Sequence, residues 1–163
     1  MTRAHFVQSA RKDNPVAKRG ESYYWWKFRY GGKRYSKTKP KQSQLTQSEF
    51  WSAVYSLQES LIEPDDMDAC EASIEEAKGE LENLRDETQS KLENMPQGLQ
   101  DGDTGQLLQE RIDALEEAIN TLESVDTGFD EPEEDADADG AEADRAHEVW
   151  NEVTEAIDSI SCS

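Results

Sequence analysis

The chain of 163 residues is 34% apolar and 33% charged, with a formal net charge of -20. That balance excludes a single large hydrophobic core and leaves small clusters and helix seams to supply the burial. No stretch has the length and apolarity of a membrane span, and Met1–Arg11 lacks the apolar run of a secretion signal; a cytoplasmic location is expected, that of the host if the protein is viral.

The charge divides the chain. Residues 1–41 hold twelve basic against two acidic side chains, a balance of +10, whereas the remaining 122 hold five basic against 35 acidic, a balance of -30. Ten of the thirteen aromatic residues lie between Tyr23 and Tyr55. The compact aromatic core is therefore expected in that window, and the two halves are expected to present surfaces for different partners or to screen one another.

Residues 1–20 show no periodicity and contain Asn14-Pro15 and Gly20, which predicts a mobile basic arm. Residues 21–63 predict a basic aromatic hairpin plus helix. Tyr23–Tyr30 is dense in strand-favouring aromatics, Gly31-Gly32 is a two-residue turn signal, and Lys33–Thr38 returns before Pro40. A two-residue turn pairs Tyr30 with Lys33, Arg29 with Arg34, Phe28 with Tyr35 and Lys27 with Ser36. Tyr24, Trp26, Phe28, Tyr30 and Tyr35 then share the covered face. Tyr23, Trp25, Lys27, Arg29, Arg34 and Ser36 share the other. Thr46-Gln47-Ser48-Glu49 matches a capping box, and Phe50, Val54, Leu57 and Leu61 recur at helical spacing up to Pro64.

Residues 64–126 predict an antiparallel helical hairpin capped by Asp65 or Asp66. Ile74, Ala77, Leu81, Leu84, Thr88 and Met95 form one heptad seam, weakened by Gly79 and Thr88. Leu108, Ile112, Leu115, Ile119 and Leu122 form the other, across a loop begun by Pro96-Gln97-Gly98. A parallel coiled-coil dimer is the alternative, and the loop disfavours it. Residues 127–144 read as an acidic low-complexity linker. Residues 145–163 read as an amphipathic helix through Ala146, Val149, Val153, Ile157 and Ile160, which either closes a three-helix bundle or is kept for a partner. The fold class is thus mainly α with a small N-terminal β-hairpin: a basic head, an acidic helical hairpin and a C-terminal amphipathic helix.

The side-chain inventory argues against an enzyme. His5 and His147 stand apart, Cys70 and Cys162 have no base near them in sequence and read as two reduced thiols, and no phosphate-cradling loop or nucleophile elbow is present. No catalytic residue, cofactor or metal is assigned. Asp135–Gly140 copies the first half of a calcium loop, but position 8 is Glu142 and position 12 is Ala146, so the run is read as acidic composition.

The hairpin carries the strongest chemical signal, because nucleic acid offers phosphates to Lys and Arg and bases to aromatic faces. The candidate nucleic-acid-binding residues are Lys27, Arg29, Lys33, Arg34, Ser36, Lys37, Lys39 and Lys41, with Arg11, Lys12, Lys18 and Arg19 reaching along a backbone. Arg29 facing Arg34 would form one anion site, since like charges directly across a strand pair repel until an anion enters.

Glu21–Arg34, within residues 21–36, resembles the strand-turn-strand core of the arm-type DNA-binding modules at the N-termini of phage integrases. The resemblance implies a sheet laid into the major groove with a helix behind it, and no recombinase activity, because the integrase catalytic domain is not part of the match. Residues 21–48 also resemble a segment of small phage and bacterial proteins, which implies a viral or mobile-element origin. The expected function is a non-enzymatic nucleic-acid-binding protein whose acidic body binds a protein partner or restrains the head. The alternatives are an interaction or assembly protein acting through the acidic helices, as a scaffold or polyanion mimic, and attachment of the basic head to an anionic membrane surface.

Overall fold

The computed structural model describes residues 2–128 and 138–160. It is mainly helical with a small antiparallel sheet at the N-terminus, and it divides into two compact units, Met1–Glu59 and Ser60–Ser163.

In the first unit, strands β1 (His5–Val7), β2 (Tyr23–Lys27) and β3 (Lys33–Ser36) form an antiparallel sheet in the order β1-β2-β3. The expected mobile arm is thus corrected, because its residues supply an edge strand. His5 pairs with Trp25, Phe6 with Tyr24 and Val7 with Tyr23. The long β1–β2 loop is tied down by its own short polar side chains. The amides of Val16 and Ala17 donate to Asn14 Oδ1 at 3.0 and 2.9 Å, and that of Arg19 donates to Asp13 Oδ1 at 2.8 Å. Lys18 N donates to Glu21 Oε2 at 2.8 Å. Ala10 N to Glu21 O and Gly20 N to Ala10 O, at 2.8 and 2.9 Å, carry the pairing beyond the strands, with Gly20 at φ +95°. Ala10 and Ala17 are buried.

The hairpin register also differs from the expected one. Lys27 pairs with Lys33, Trp26 with Arg34, Trp25 with Tyr35 and Tyr24 with Ser36, so Phe28–Gly32 forms a longer loop in place of the two-residue turn. A type I′ turn needs positive φ at both central residues. Neither Gly31 nor Gly32 adopts it. Phe28 instead leaves the strand and is only 4% exposed, while Tyr30 at the loop tip is 80% exposed. The pairing shifts by three positions, and an odd shift turns every side chain of β3 to the opposite face.

Helix α1 (Glu49–Ser60) completes this unit and buries Phe50, Val54, Tyr55 and Leu57. Its cap is Ser48, whose Oγ accepts from Trp51 N at 3.4 Å. Thr46 Oγ1 accepts from Ser48 N in the approach to the helix, so the expected Thr46–Glu49 box is replaced by a start two residues later. The Ser43 amide and hydroxyl both donate to the Glu59 carboxylate, at 3.0 and 2.7 Å, and close the segment before α1 onto its end.

The second unit is a three-helix bundle of α2 (Met67–Glu93), α4 (Asp103–Ser124) and α5 (Ala138–Ile160), with a short α3 (Gln97–Gln100) in the α2–α4 connection; each long helix packs on the other two. Asp66 caps α2 by accepting from Ala69 N at 2.7 Å. The buried stripe of α2 is Met67, Cys70, Ile74, Ala77, Leu81 and Thr88, and the Thr88 hydroxyl donates to Leu84 O at 2.7 Å. In α4 the stripe is Leu108, Ile112, Leu115, Ala118, Ile119 and Leu122; in α5 it is Ala146, Val149, Trp150, Val153, Ala156, Ile157 and Ile160. Of the two roles open to the last helix, closure of the bundle is the one observed. Helix α5 also begins inside the expected linker, where the alanines of the sequence favour helix. Glu142 there accepts from Met67 N at 3.3 Å. Of the calcium-like run, Ala138–Gly140 is helical and residues 135–137 lie outside the described residues. Burial raises the pKa of the Cys70 thiol, which makes it a poor nucleophile; Cys162 lies outside the described residues. Among the described residues, no helix is long and apolar enough to cross a membrane.

Candidate nucleic-acid interface

Residues directly opposite in an antiparallel ladder point to the same side of the sheet. The observed register therefore sorts the strands into two faces. Phe6, Tyr24, Trp26, Arg34 and Ser36 share one, and His5, Val7, Tyr23, Trp25, Lys27, Lys33 and Tyr35 share the other. The first is covered at its centre, where Trp26 is only 4% exposed; Phe6 and Arg34 at its margins stay exposed, and Arg34 lines a depression with Thr46–Glu49 and Ser52 at the start of α1. The second is the outer face of the sheet.

The outer face combines rings with cations. His5 stacks on Trp25 at a centroid distance of 4.6 Å and an interplanar angle of 19°. Lys33 Nζ lies 4.5 Å from the centre of the same indole. Tyr23 and Tyr35 are 6.1 Å apart and tilted by 40°. Trp25, Tyr23 and Tyr35 are half-buried, whereas Lys27, Lys33 and His5 are exposed. Lys27 lies directly across from Lys33, so the last rung of the ladder pairs two like-charged residues on one side of the sheet. Such a pair is destabilising, and the indole under Lys33 offsets only part of it, about 0.5–1 kcal/mol at an exposed site. An anion bridging the two ammonium groups would remove the remainder.

The other candidate residues disperse. Arg29 sits in the β2–β3 loop with its guanidinium 5.4 Å from the Tyr30 ring, and Arg34 lies on the covered face, 5.1 Å from the Phe28 ring. The expected Arg29–Arg34 anion site is therefore not formed across the ladder: the register that would have paired them is replaced by Trp26 opposite Arg34. Ser36 also turns to the covered face and shares a hydrogen bond with Thr38, at 3.3 Å between hydroxyls. Lys37 pairs with Glu21 at 3.3 Å, and Lys41 reaches Glu59 at 4.0 Å. Lys39 is exposed, as are Arg11, Lys12, Lys18 and Arg19 along the β1–β2 loop. That loop presents four cations on a tied backbone, where an unstructured tail was expected.

Two contributors are legible only in the fold. His5 reaches the face because β1 pairs with β2, and Tyr35 changes face with the register. The alternation Tyr23, Trp25, Lys27 is the sequence signal that marks the outer face. His147, by contrast, belongs to the body, where its ring contacts Glu63. Among the described residues, no group of three or more His, Cys, Asp or Glu side chains is placed to hold a metal. The chain matches no protein-family profile, no curated protein sequence and no solved structure.

Proposed function

We propose that this protein binds nucleic acid without catalysing a reaction, through the outer face of its three-stranded sheet and the cations of the β1–β2 loop. The observation that carries the reading is the Trp25 cluster. An indole, a stacked imidazole and a lysine at 4.5 Å share one sheet face with two tyrosines and a second lysine. Lysines supply phosphate contacts, and rings supply surfaces for bases or sugars. A sheet with a helix behind it is also what the resemblance of residues 21–36 to phage integrase arm-type modules implies, and the viral or mobile-element origin implied by residues 21–48 belongs to the same proposal.

The test is a salt titration of the full chain with labelled nucleic acid. Lys27→Gln and Lys33→Gln should each weaken binding and lower the slope of log affinity against log salt by about 0.7–0.9. Unchanged affinity and slope in both variants would remove the reading.

The acidic body restrains this surface in the same reading. A balance of -30 in residues 42–163 repels a polyanion through its field, whatever the arrangement of the two units. A fragment ending at Ile62 should bind more tightly than the full chain at low salt, with the gap closing as salt screens the field. Equal affinities in a fragment whose circular dichroism shows it folded would leave the body with the role of a protein-binding surface.

A further inference from the structure

The outer sheet face has a composition that chooses between forms of nucleic acid. Reading a duplex in the major groove takes side chains that reach base edges: Arg or Lys to guanine, Asn or Gln to adenine, Ser or Thr to either. Among the described strand residues, the outer face carries His5, Val7, Tyr23, Trp25, Lys27, Lys33 and Tyr35. Only its two lysines, at one end of the ladder, belong to that set. Arg34 and Ser36, which would have served, stand on the opposite side of the sheet in the observed register. What remains at the centre is a platform of rings, and a ring offers a base its face, not its edge. The bases of a duplex are stacked on one another and present no face to a sheet.

We infer that the occupant of this face is a single-stranded segment of nucleic acid, with unstacked bases lying on Trp25, Tyr23 and Tyr35 and a phosphate between Lys27 and Lys33. The inference rests on the proposed nucleic-acid reading and narrows it. Trp25 is held from both neighbouring strands, by His5 of β1 and Lys33 of β3, so a base that stacks on its indole does so by displacing one of the two. The phosphate position follows from the Lys27–Lys33 rung, whose two lysines are paired directly across the ladder and stand on the same side of the sheet. Single-strand binding by stacking is tolerant of sequence, because every base has a face.

The experiment titrates the full chain against four labelled probes of equal length: a pyrimidine DNA strand, the RNA of the same sequence, the corresponding DNA duplex, and the DNA strand with abasic sites through its centre. The intact strands, of either sugar, should bind more tightly than the duplex, and the abasic strand should lose affinity about five- to a hundredfold for each base removed from a ring. Trp25→Leu and Tyr35→Leu should each cost the intact strands a loss in the same range and leave duplex and abasic binding unchanged. The abasic comparison uses the unaltered protein, so it decides the matter even where a variant loses its fold. A duplex bound as tightly as the single strand, or an abasic strand bound as tightly as the intact one, overturns the inference while leaving a phosphate-binding protein. Retention of no probe at low salt removes the inference and the nucleic-acid reading together.

Discussion

The head and the body build their cores from different materials. In the body, each long helix contributes an aliphatic stripe at spacings of three and four, and the three stripes meet along the bundle. In the head, Trp26 and Phe28 come from the hairpin, Phe50, Val54, Tyr55 and Leu57 from α1, and Ala10 and Ala17 from a loop. Those pieces are held in place by side chains bonded to backbone amides, as with Asn14, Asp13, Ser48 and Glu59. A seam of this kind depends on volume, whereas an assembly of separate pieces depends on register and on particular polar bonds. Substitutions should therefore act on the two units through different physics.

The largest effect is expected in the body. Leu81 and Leu115 are fully buried on facing helices. Leu81→Ala or Leu115→Ala removes methyl groups that close packing cannot replace, and should cost about 2–5 kcal/mol. Urea denaturation followed by far-ultraviolet circular dichroism would measure it. A loss of under about 1 kcal/mol would show that the seam collapses around the cavity, contrary to a close-packed interior. At Gly105, in the first turn of α4, backbone approach takes the place of volume. A Cβ there would stand 1.9 Å from Gln100 O, too close for any rotamer to relieve. Gly105→Ala should cost about 1–3 kcal/mol, as overpacking does, and should loosen the α3–α4 corner before the rest of the bundle.

In the head, glycines report register instead. Gly20 has φ +95°, a region that L side chains enter at a cost of roughly 1–2 kcal/mol, so Gly20→Ala should lower the melting temperature of the head. Gly32→Ala should be nearly neutral or stabilise by about 0.4–1 kcal/mol, because Gly32 has ordinary φ and nothing within 4 Å of the added Cβ. A type I′ two-residue turn, with positive φ at both glycines, predicts the reverse for Gly32. Thermal melts of the two variants, read by tryptophan fluorescence in a Trp150→Phe chain whose remaining tryptophans all lie in the head, therefore decide between the registers: a Gly32→Ala loss as large as that at Gly20 would restore the Arg29–Arg34 pairing.

The same contrast explains what the sequence could show. Ile74, Ala77, Leu81, Leu108, Ile112, Leu115, Val149, Val153 and Ile157 were all legible as core, because a helix seam is a local period and needs no knowledge of its partner. The hairpin was legible as an element, and its register was not. Gly31-Gly32 advertises a tight turn, but burial of Phe28 draws the strand end inward and the turn opens to a longer loop. That tertiary preference moved Arg34 and Ser36 off the candidate interface. Strand β1 gave too short a pattern to register, since only His5–Val7 is paired and its worth lies in the β2 partner. The start of α5 was hidden by composition, because an Asp- and Ala-rich run suits a linker and a helix N-terminus equally well.

The smallest expected effect concerns acid, and it should carry opposite signs in the two units. In the head, the hydrogen bond from the Lys18 amide, reinforced by Lys37, holds the Glu21 carboxyl below the usual carboxylate range. A group whose folded pKa is depressed contributes stability that is present above its unfolded value. That contribution is lost as pH falls through the ordinary glutamate range towards the depressed folded value. The head melt should therefore decline slightly over that interval, and Glu21→Gln should flatten the decline. The change is small because Glu21 is exposed and screened by solvent. In the body, acidification reduces the self-repulsion of a strongly negative surface, so helix content should hold or rise over the same interval. Tryptophan-detected melts of a Trp150→Phe chain, whose remaining tryptophans all lie in the head, with and without Glu21→Gln, beside circular dichroism of a fragment from Asp65 to Ser163, separate the two responses. A random-coil fragment across that range would show that the bundle needs the head to fold. A Glu21→Gln head that still weakens in acid as the parent does would show that the β1–β2 loop is not held by this carboxylate.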